Sequence, residues 1–414
     1  PFAPPVAPAP PLYESCTDAP PPMSPEVLVE ARREVHLLLL SCMEMDRLDW
    51  QSPESATKLE GIRRAYRPGL PQTCRTPGNL WFFAVLLGGG MEALQTTLAE
   101  TVDACRALGY EWELAAALQT RANILANRTD WAGDAIRDAD EALQGFRRLG
   151  DVWGIAEALA ARGESHERRG EFAAAMADYE AAVGYAEQLG AQSQVALLKA
   201  RLGSILTDSP EQRDLFERGE GLLREVLENP GRHGAGDAMP AARLFYALAL
   251  GRCRRLDEAR EQLRLLRLEF NGIGYAIFDS SVLGITAWLD ALDGRHVESL
   301  ATACEAFEKA LDPLSRIVAP QMVSVHLSVV AMASAGYGDG DRAYDAARLL
   351  ALADRELPPE HFANTMEREI REAAEARSRA VLGDDAYEAA YAKGGSLPLE
   401  EATALCAAWG EATR

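Results

Sequence analysis

The feature that most constrains this chain is that it repeats itself. Leu-Gly pairs close helical runs at Leu108-Gly109, Leu149-Gly150 and Leu189-Gly190, so the glycines recur at spacings of 41 and 40. Thirteen residues after each glycine stands a small residue, Ala122, Gly163 and Gly203. Fourteen residues before the leucine of the last two pairs stands an alanine, Ala135 and Ala175. A terminal glycine suits a left-handed helix cap, and small residues in fixed register let two helices cross closely. A period near 40 holding two helices marks a helical solenoid, in which each unit buries its apolar face on its neighbours. Length then stops dictating a domain count. The 414 residues make one elongated array rather than two or three separate cores.

The second unit carries the pattern most fully, as Leu159, Gly163, His166, Gly170, Phe172, Ala175, Tyr179 and Ala182. It resembles the tetratricopeptide repeat (TPR), whose signature runs W-x2-L-G-x2-Y, then G-x-[YF]-x2-A, then [FY]-x2-A. Leu159 stands at the tryptophan position and Arg162 at the leucine position, so the match is degenerate. Later units keep the order as Ala247, Leu256, Ala259, then Ala287, Gly294, Ser299, Ala303, then Ala331, Gly338, Ala343, Ala347. Six units run from about 110 to 356, after a partial one at Leu80–Gly109. No sustained alternation of apolar and polar residues asks for a strand. The expected fold is all-α, a right-handed superhelix of antiparallel helix pairs.

The flanks read differently. Residues 1–25 hold ten of the 22 prolines and predict an extended linker or tail. Residues 26–79 predict a helical lead-in. Its first helix starts at Ser24-Pro25-Glu26 and sets Val27, Leu28, Ala31, Val35, Leu38 and Leu39 on one face. A second helix follows Ser52-Pro53-Glu54, and Arg67–Gly78 reads as a loop. The repeats occupy 80–356, and 357–414 form a helical capping segment. Its end, Val381–Leu405, reads as a helix, a Gly394-Gly395 stop and a second capped helix. Over about residues 80 to 405, this tail and the repeats with their Leu-Gly ends resemble the repeat region of large bacterial transcription regulators. These are the MalT/LuxR-type activators and the AfsR/SARP-like antibiotic regulators of actinobacteria. The resemblance implies an arm that follows a nucleotide-binding switch domain. The P-loop and the DNA-binding helix-turn-helix or winged helix of a complete regulator are not in this sequence. A fragment of a longer chain is therefore expected, with its proline-rich start as the linker.

The chemistry-bearing signals are few. With 63 acidic against 42 basic residues the net charge is −21, which opposes any grip on a phosphate backbone by this chain. Seven cysteines without a C-x-x-C predict neither a disulfide framework nor a zinc site, and point to the cytoplasm. Val35–Met43 is too short to span a bilayer, and Met322–Ala335 is interrupted by His326 and serines, so no membrane contact is expected. Gly88-Gly89-Gly90 lacks the lysine and threonine of a Walker loop and reads as a helix–helix turn, while Gly231–Asp237 reads as a loop between units. His166-Glu167 begins like H-E-x-x-H, but Gly170 stands where the second histidine belongs. His166 falls instead at an aromatic repeat position, which predicts a packed core residue. The other histidines have no ligand partner at helical spacing, and paired acids such as Asp384-Asp385 and Glu400-Glu401 read as solvated faces. The Asn127-Arg128-Thr129 sequon has no export signal beside it. No catalytic residue, cofactor or metal is expected.

The resemblance also implies a concave groove, lined by first-helix positions counted from the small residue. In the first three units these are Gln119, Asn123, Ala126 and Asn127, then Ala160, Glu164, Glu167 and Arg168, then Ala200, Ser204, Thr207 and Asp208. The later units supply Leu244, Leu248 and Arg252, then Trp288 and Leu292, then Ser328 and Met332. The groove thus turns from polar to apolar along its length. A patch of Leu248, Trp288, Leu292 and Met332 needs a cover, either a partner or the chain's own C-terminal segment. Alternatively the register is one residue off and these side chains are core. The basic clamp of chaperone-binding repeats is not evident, with only Asn123, Asn127 and Arg168 as candidates. The expected role is a non-enzymatic sensor arm of a transcription regulator. It would bind a protein partner, a peptide or small-molecule effector, or the regulator's own nucleotide-binding domain. A free-standing interaction scaffold is the alternative, and an α-solenoid enzyme the third reading.

Overall fold

A computed structural model describes residues 24–42, 53–76, 78–126, 132–208, 211–229, 238–269, 276–359 and 361–412. The proline-rich residues 1–23, the Gly231–Asp237 loop and the sequon at Asn127 lie outside them. Among the described residues there are twenty α-helices, one short 3-10 turn and no strand. The fold is an all-α solenoid. A lead-in of α1 (Pro25–Cys42), α2 (Pro53–Ala65), α3 (Pro71–Cys74) and α4 (Phe82–Leu108) precedes six helix pairs. The pairs are α5 (Glu111–Ala126) with α6 (Ala132–Leu149), α7 (Val152–Arg168) with α8 (Phe172–Leu189), and α9 (Gln192–Leu206) with α10 (Arg213–Glu228). They continue with α11 (Ala238–Arg252) and α12 (Leu256–Glu269), then α13 (Ala276–Leu292) and α14 (His296–Ala310). After the short α15 (Pro313–Val318) comes the last pair, α16 (Gln321–Ala335) and α17 (Gly340–Glu356). Three helices close the chain: α18 (Thr365–Leu382), α19 (Asp384–Gly394) and α20 (Leu399–Ala412).

The small residues of the repeat sit where the helices cross. Ala122, Ala247, Ala287 and Ala331 are fully buried on the first helices, as are Ala135, Ala175, Ala259, Ser299 and Ala343 on the second. At Gly163 a methyl group would come within 3.0 Å of the Tyr179 ring, and at Gly203 within 2.8 Å of Leu223. Nothing larger fits without moving a neighbour. The Leu-Gly ends are left-handed caps, with φ of 69°, 69° and 67° at Gly109, Gly150 and Gly190. A second left-handed position ends the first helix of later units seven residues after the small residue, at Gly170, Gly294 and Gly338. In the fourth unit Arg254 occupies it, with φ of 59°, a conformation that a side chain disfavours.

The degenerate leucine position has its own chemistry. Arg162 reaches across to the second helix, with Nε 2.8 Å and Nη2 2.6 Å from the carboxylate oxygens of Asp178, and Nη1 2.5 Å from Asp140. One unit earlier Arg121 holds Asp138 in the same way, at 2.5 and 2.7 Å. A forked Arg–carboxylate pair thus replaces an apolar contact between the two helices of a unit. The sequence signal was available: Arg121 and Arg162 are 41 apart, Asp138 and Asp178 40 apart.

Four local expectations are corrected. Gly88–Gly90 does not turn between helices but lies inside the continuous 27-residue α4, so Leu80–Gly109 is not a helix pair. Good helix formers on either side, Leu86-Leu87 and Met91-Glu92-Ala93-Leu94, carry the helix through the glycines, whose propensity cost is only about 1 kcal/mol each. On α1, Val27, Leu28, Val35 and Leu38 stand exposed, and Leu37 is the residue that enters the core. The heptad-like spacing located a stripe on the helix but not which side meets α2–α4. The Arg67–Gly78 loop contains one helical turn, α3. His166 is half-buried rather than core, its Nδ1 2.6 Å from Glu171 Oε2. Among the described residues no helix is long and apolar enough to cross a membrane.

Candidate functional site

The apolar side chains Leu244, Leu248, Ile285 and Trp288 share a cavity with the chain's own C-terminal segment. After α17 the chain crosses back over α16 and α17, and α18 packs on both. The connecting segment reaches units far upstream. Phe362 meets Phe172 edge to face at 5.6 Å between ring centres, and lies over Gly170, where a methyl group would come within 2.5 Å of its ring. Left-handed Gly170 therefore serves twice, ending α7 and admitting this ring. Asn364 and Glu367 form a reciprocal capping box that starts α18, and Glu367 also holds His361 at 2.8 Å.

The first turn of α18 is tied to a residue 157 positions earlier. Thr365 donates from its hydroxyl (3.0 Å) and its backbone N–H (3.4 Å) to Asp208 Oδ2. Asp208 Oδ1 in turn pairs with Arg252 Nη2 at 3.1 Å, where the Arg252 side chain is only 4% exposed. Arg252 also donates to the Thr207 carbonyl at 3.0 Å. Burial pulls its pKa down, and the charges of Asp208 and Glu369 oppose that pull. Farther along, Arg371 clamps Asp354 on α17 at 2.9 and 3.2 Å, and Arg377 donates to the Met332 carbonyl at 3.3 Å. Residues 361–377 thus form a strap stitched to α8, to Asp208 in the turn after α9, and to α16 and α17.

The structure places the sequence-derived groove residues in three environments. Leu248 and Leu292 are half-buried at the edge of the main core, while Trp288 (1% exposed) and Met332 (2%) lie inside it. Arg252 is the buried cation of the strap anchor. In the first units the side chains form polar links between repeats: Gln119 donates to Glu157 at 3.5 Å, and Gln194 donates to the same carboxylate from the next unit. Burial pushes the Glu157 pKa up. Glu164 pairs with Arg201 at 3.2 Å and with Arg168 at 4.0 Å, beside Glu167, which accepts from the Tyr179 hydroxyl at 2.9 Å. Glu167 is raised by burial, and Arg201 is held charged by Glu164. Asn123 is half-buried, and Asn127 is outside the described residues. Among the described residues no group of three His, Cys, Asp or Glu side chains is disposed to hold a metal.

Between strap and wall lie two adjoining cavities. One, of ≈190 Å³, is bounded by Leu244, Leu248, Ile285, Trp288 and His326 on the wall and by Asn364, Met366 and Ile370 on the strap. The other, of ≈200 Å³, runs from Ser324 and Ser328 to His361 and Arg371, and shares Val325, Glu367 and Ile370 with the first. Fold and site together define a class: an α-solenoid with two cavities between its helices and its own C-terminal strap. No protein-family model matches the chain. No curated protein is significantly similar to it.

Proposed function

We propose that the chain is a non-enzymatic binding module, the sensor arm of a multidomain bacterial regulator, in which the strap occupies the groove at rest and an effector or partner alters its hold. One observation carries this reading: the apolar wall at Leu244, Leu248 and Trp288 borders a cavity beneath a segment whose leading residues are seated by the Asp208–Thr365 hydrogen bonds and the Phe362–Phe172 ring contact, ahead of the packed body of α18. The strap buries Ile370 and Ala374 in the main core, and it also leaves cavities beneath its leading residues, which rest on groups that a competing ligand could replace. A bound molecule acts on such an arm only by its unequal affinity for the strapped and released states.

The repeats and the helical tail support the regulator context, in which the groove, the strap or the acidic outer surface meets the nucleotide-binding domain. The test is the coding sequence upstream, followed by co-purification in trans. A P-loop domain with a DNA-binding module, whose affinity for this chain changes when Phe362→Ala loosens the strap, supports the reading. An upstream region that codes for neither leaves the free-standing scaffold in its place.

A further inference from the structure

We infer that the fold holds two pairs of cysteines as latent disulfides, Cys304 with Cys406 and Cys74 with Cys105. On oxidation each pair cross-links an end element of the array to the helix it packs on. This modification stands apart from the sensor reading above and does not rest on it.

Thiol-to-thiol contacts carry the argument. Five cysteines have described side chains, Cys74, Cys105, Cys253, Cys304 and Cys406, all as free thiols. Four of them are buried, at 6% exposure or less, and those four fall into two touching pairs. The Cys304 and Cys406 thiols hydrogen-bond each other, and so do those of Cys74 and Cys105. Cys304 on α14 and Cys406 on α20 belong to one hydrophobic core. A cysteine that serves only as a small buried apolar residue asks for apolar neighbours and nothing more. Here each buried thiol has another thiol as its partner, across an interface between two packed elements, and a disulfide needs the two side chains to meet in this way. No local motif announces either pair, because 102 and 31 positions separate the partners.

The places the pairs occupy give them a use. α20 is the last described helix, and α14 is the helix it packs on most. Its other ties are side-chain ones, such as Glu401 to Arg348 at 2.6 Å and the Trp409 ring beneath Arg342. An end element of a solenoid is held from one side and opens at lower cost than the middle. Cys74 likewise ties α3, a single turn of the lead-in, to α4. The oxidant is a small disulfide of the glutathione class. One cysteine thiolate attacks its S–S bond and releases one glutathione thiol. The second cysteine attacks the mixed disulfide, forms the S–S bond within the protein and releases the other. Two electrons and two protons thus pass from the protein to two glutathione thiols. In the closed, reduced chain the first attack is slow. Burial pushes Cys105 up to about 12, and the Cys304 thiol together with burial raises Cys406, so the attacking thiolate forms in the opened or folding chain.

The test refolds the full chain from denaturant in mixtures of reduced and oxidised glutathione. The reaction is quenched with acid, free thiols are alkylated in denaturant, and linked peptides are mapped by mass spectrometry without reduction. Two dominant links are expected, Cys304 to Cys406 and Cys74 to Cys105. Each should persist at a glutathione ratio about tenfold or more further toward the reduced side than the same link formed in denaturant, because the fold keeps the two sulfurs together. Native hydrogen exchange of the α20 amides around Cys406 should slow about tenfold or more in the oxidised chain. Cys406→Ala should lose both the Cys304 link and that slowing, and keep the Cys74 link. The mapping of the parent chain does not depend on how well the variant folds. Scrambled links, or pairs oxidised no more readily in the fold than in denaturant, overturn the inference. An oxidised chain whose α20 exchanges as fast as the reduced one overturns the cross-linking of the end helix.

Discussion

Replacing Asp208 by alanine should loosen the molecule at two places at once, because this carboxylate is shared between a buried cation and the strap. Its Oδ1 neutralises Arg252, whose side chain is 4% exposed, and its Oδ2 receives the Thr365 hydroxyl and N–H. In Asp208→Ala the guanidinium retains the Thr207 carbonyl but loses its counter-ion inside the protein. A buried charge stripped of its partner costs about 3–5 kcal/mol, far above the 0–1 kcal/mol of a surface pair. Arg252→Met should cost less, because it removes the charge that needs compensation and leaves Asp208 with the two Thr365 donors. The Asp208→Ala, Arg252→Met double variant should lie within about 1–2 kcal/mol of the parent, giving a coupling energy of about 2–3 kcal/mol. Loss of the two Thr365 hydrogen bonds, each worth about 1 kcal/mol, should also speed exchange of the first-turn amides of α18 by about tenfold or more in both Asp208 variants. A solenoid need not unfold in one step, so native-state hydrogen exchange over α9, α11 and α18 is the better assay than a single melting curve. Additive single-variant costs, with coupling below about 0.5 kcal/mol, would refute the buried-pair argument. Unchanged exchange at α18 would refute the anchor.

Three further outcomes follow from the same structure. Arg254→Gly removes the left-handed penalty at φ 59° for the loss of one exposed hydrogen bond to the Leu292 carbonyl, and should stabilise the chain by about 0.5–1 kcal/mol in thermal unfolding; a loss of stability would show that the bond outweighs the strain. His326 is protonated more readily in the unfolded chain, whose value is near 6.5, than in the folded one, at about 4. Its contribution is therefore fully present above pH 6.5 and lost as pH falls toward 4, by up to about 3 kcal/mol, and His326→Gln should flatten the pH dependence of unfolding over that window. Cys74, Cys105, Cys304 and Cys406 are buried free thiols, with burial pushing Cys105 up to about 12 and the Cys304 thiol together with burial raising Cys406. A thiol reagent at pH 8, with the sites located by mass spectrometry, should modify none of the four until the chain is denatured, and rapid labelling of any of them contradicts the packing described.

The sequence by itself determined the kind of fold. Helix ends and helix crossings are local events: a glycine terminates a helix wherever φ must be positive, and a small residue permits a close crossing whatever lies elsewhere. Their recurrence at about 40 residues, from Gly109 to Gly190 and from Ala122 to Ala331, therefore wrote the solenoid into the chain in plain view. Of the positions read as groove from the register, Leu244, Leu248 and Trp288 line one cavity, and Trp288 and Met332 are buried in the core. What becomes of that wall was open in the sequence, with a partner, the C-terminal segment and plain core packing as the readings. Only the tertiary structure decided it. The contacts that seat the strap join Asp208 to Thr365 and Phe172 to Phe362, pairs separated by 157 and 190 positions, and no local pattern at either end announces the other. The same holds for Arg252 and His326. As residue types they suggested an exposed groove cation and an interruption of an apolar run. Burial made the first a paired ion and left the second a neutral imidazole bonded to Ser280, because desolvation and hydrogen-bond partners are set by what the rest of the chain brings to the site.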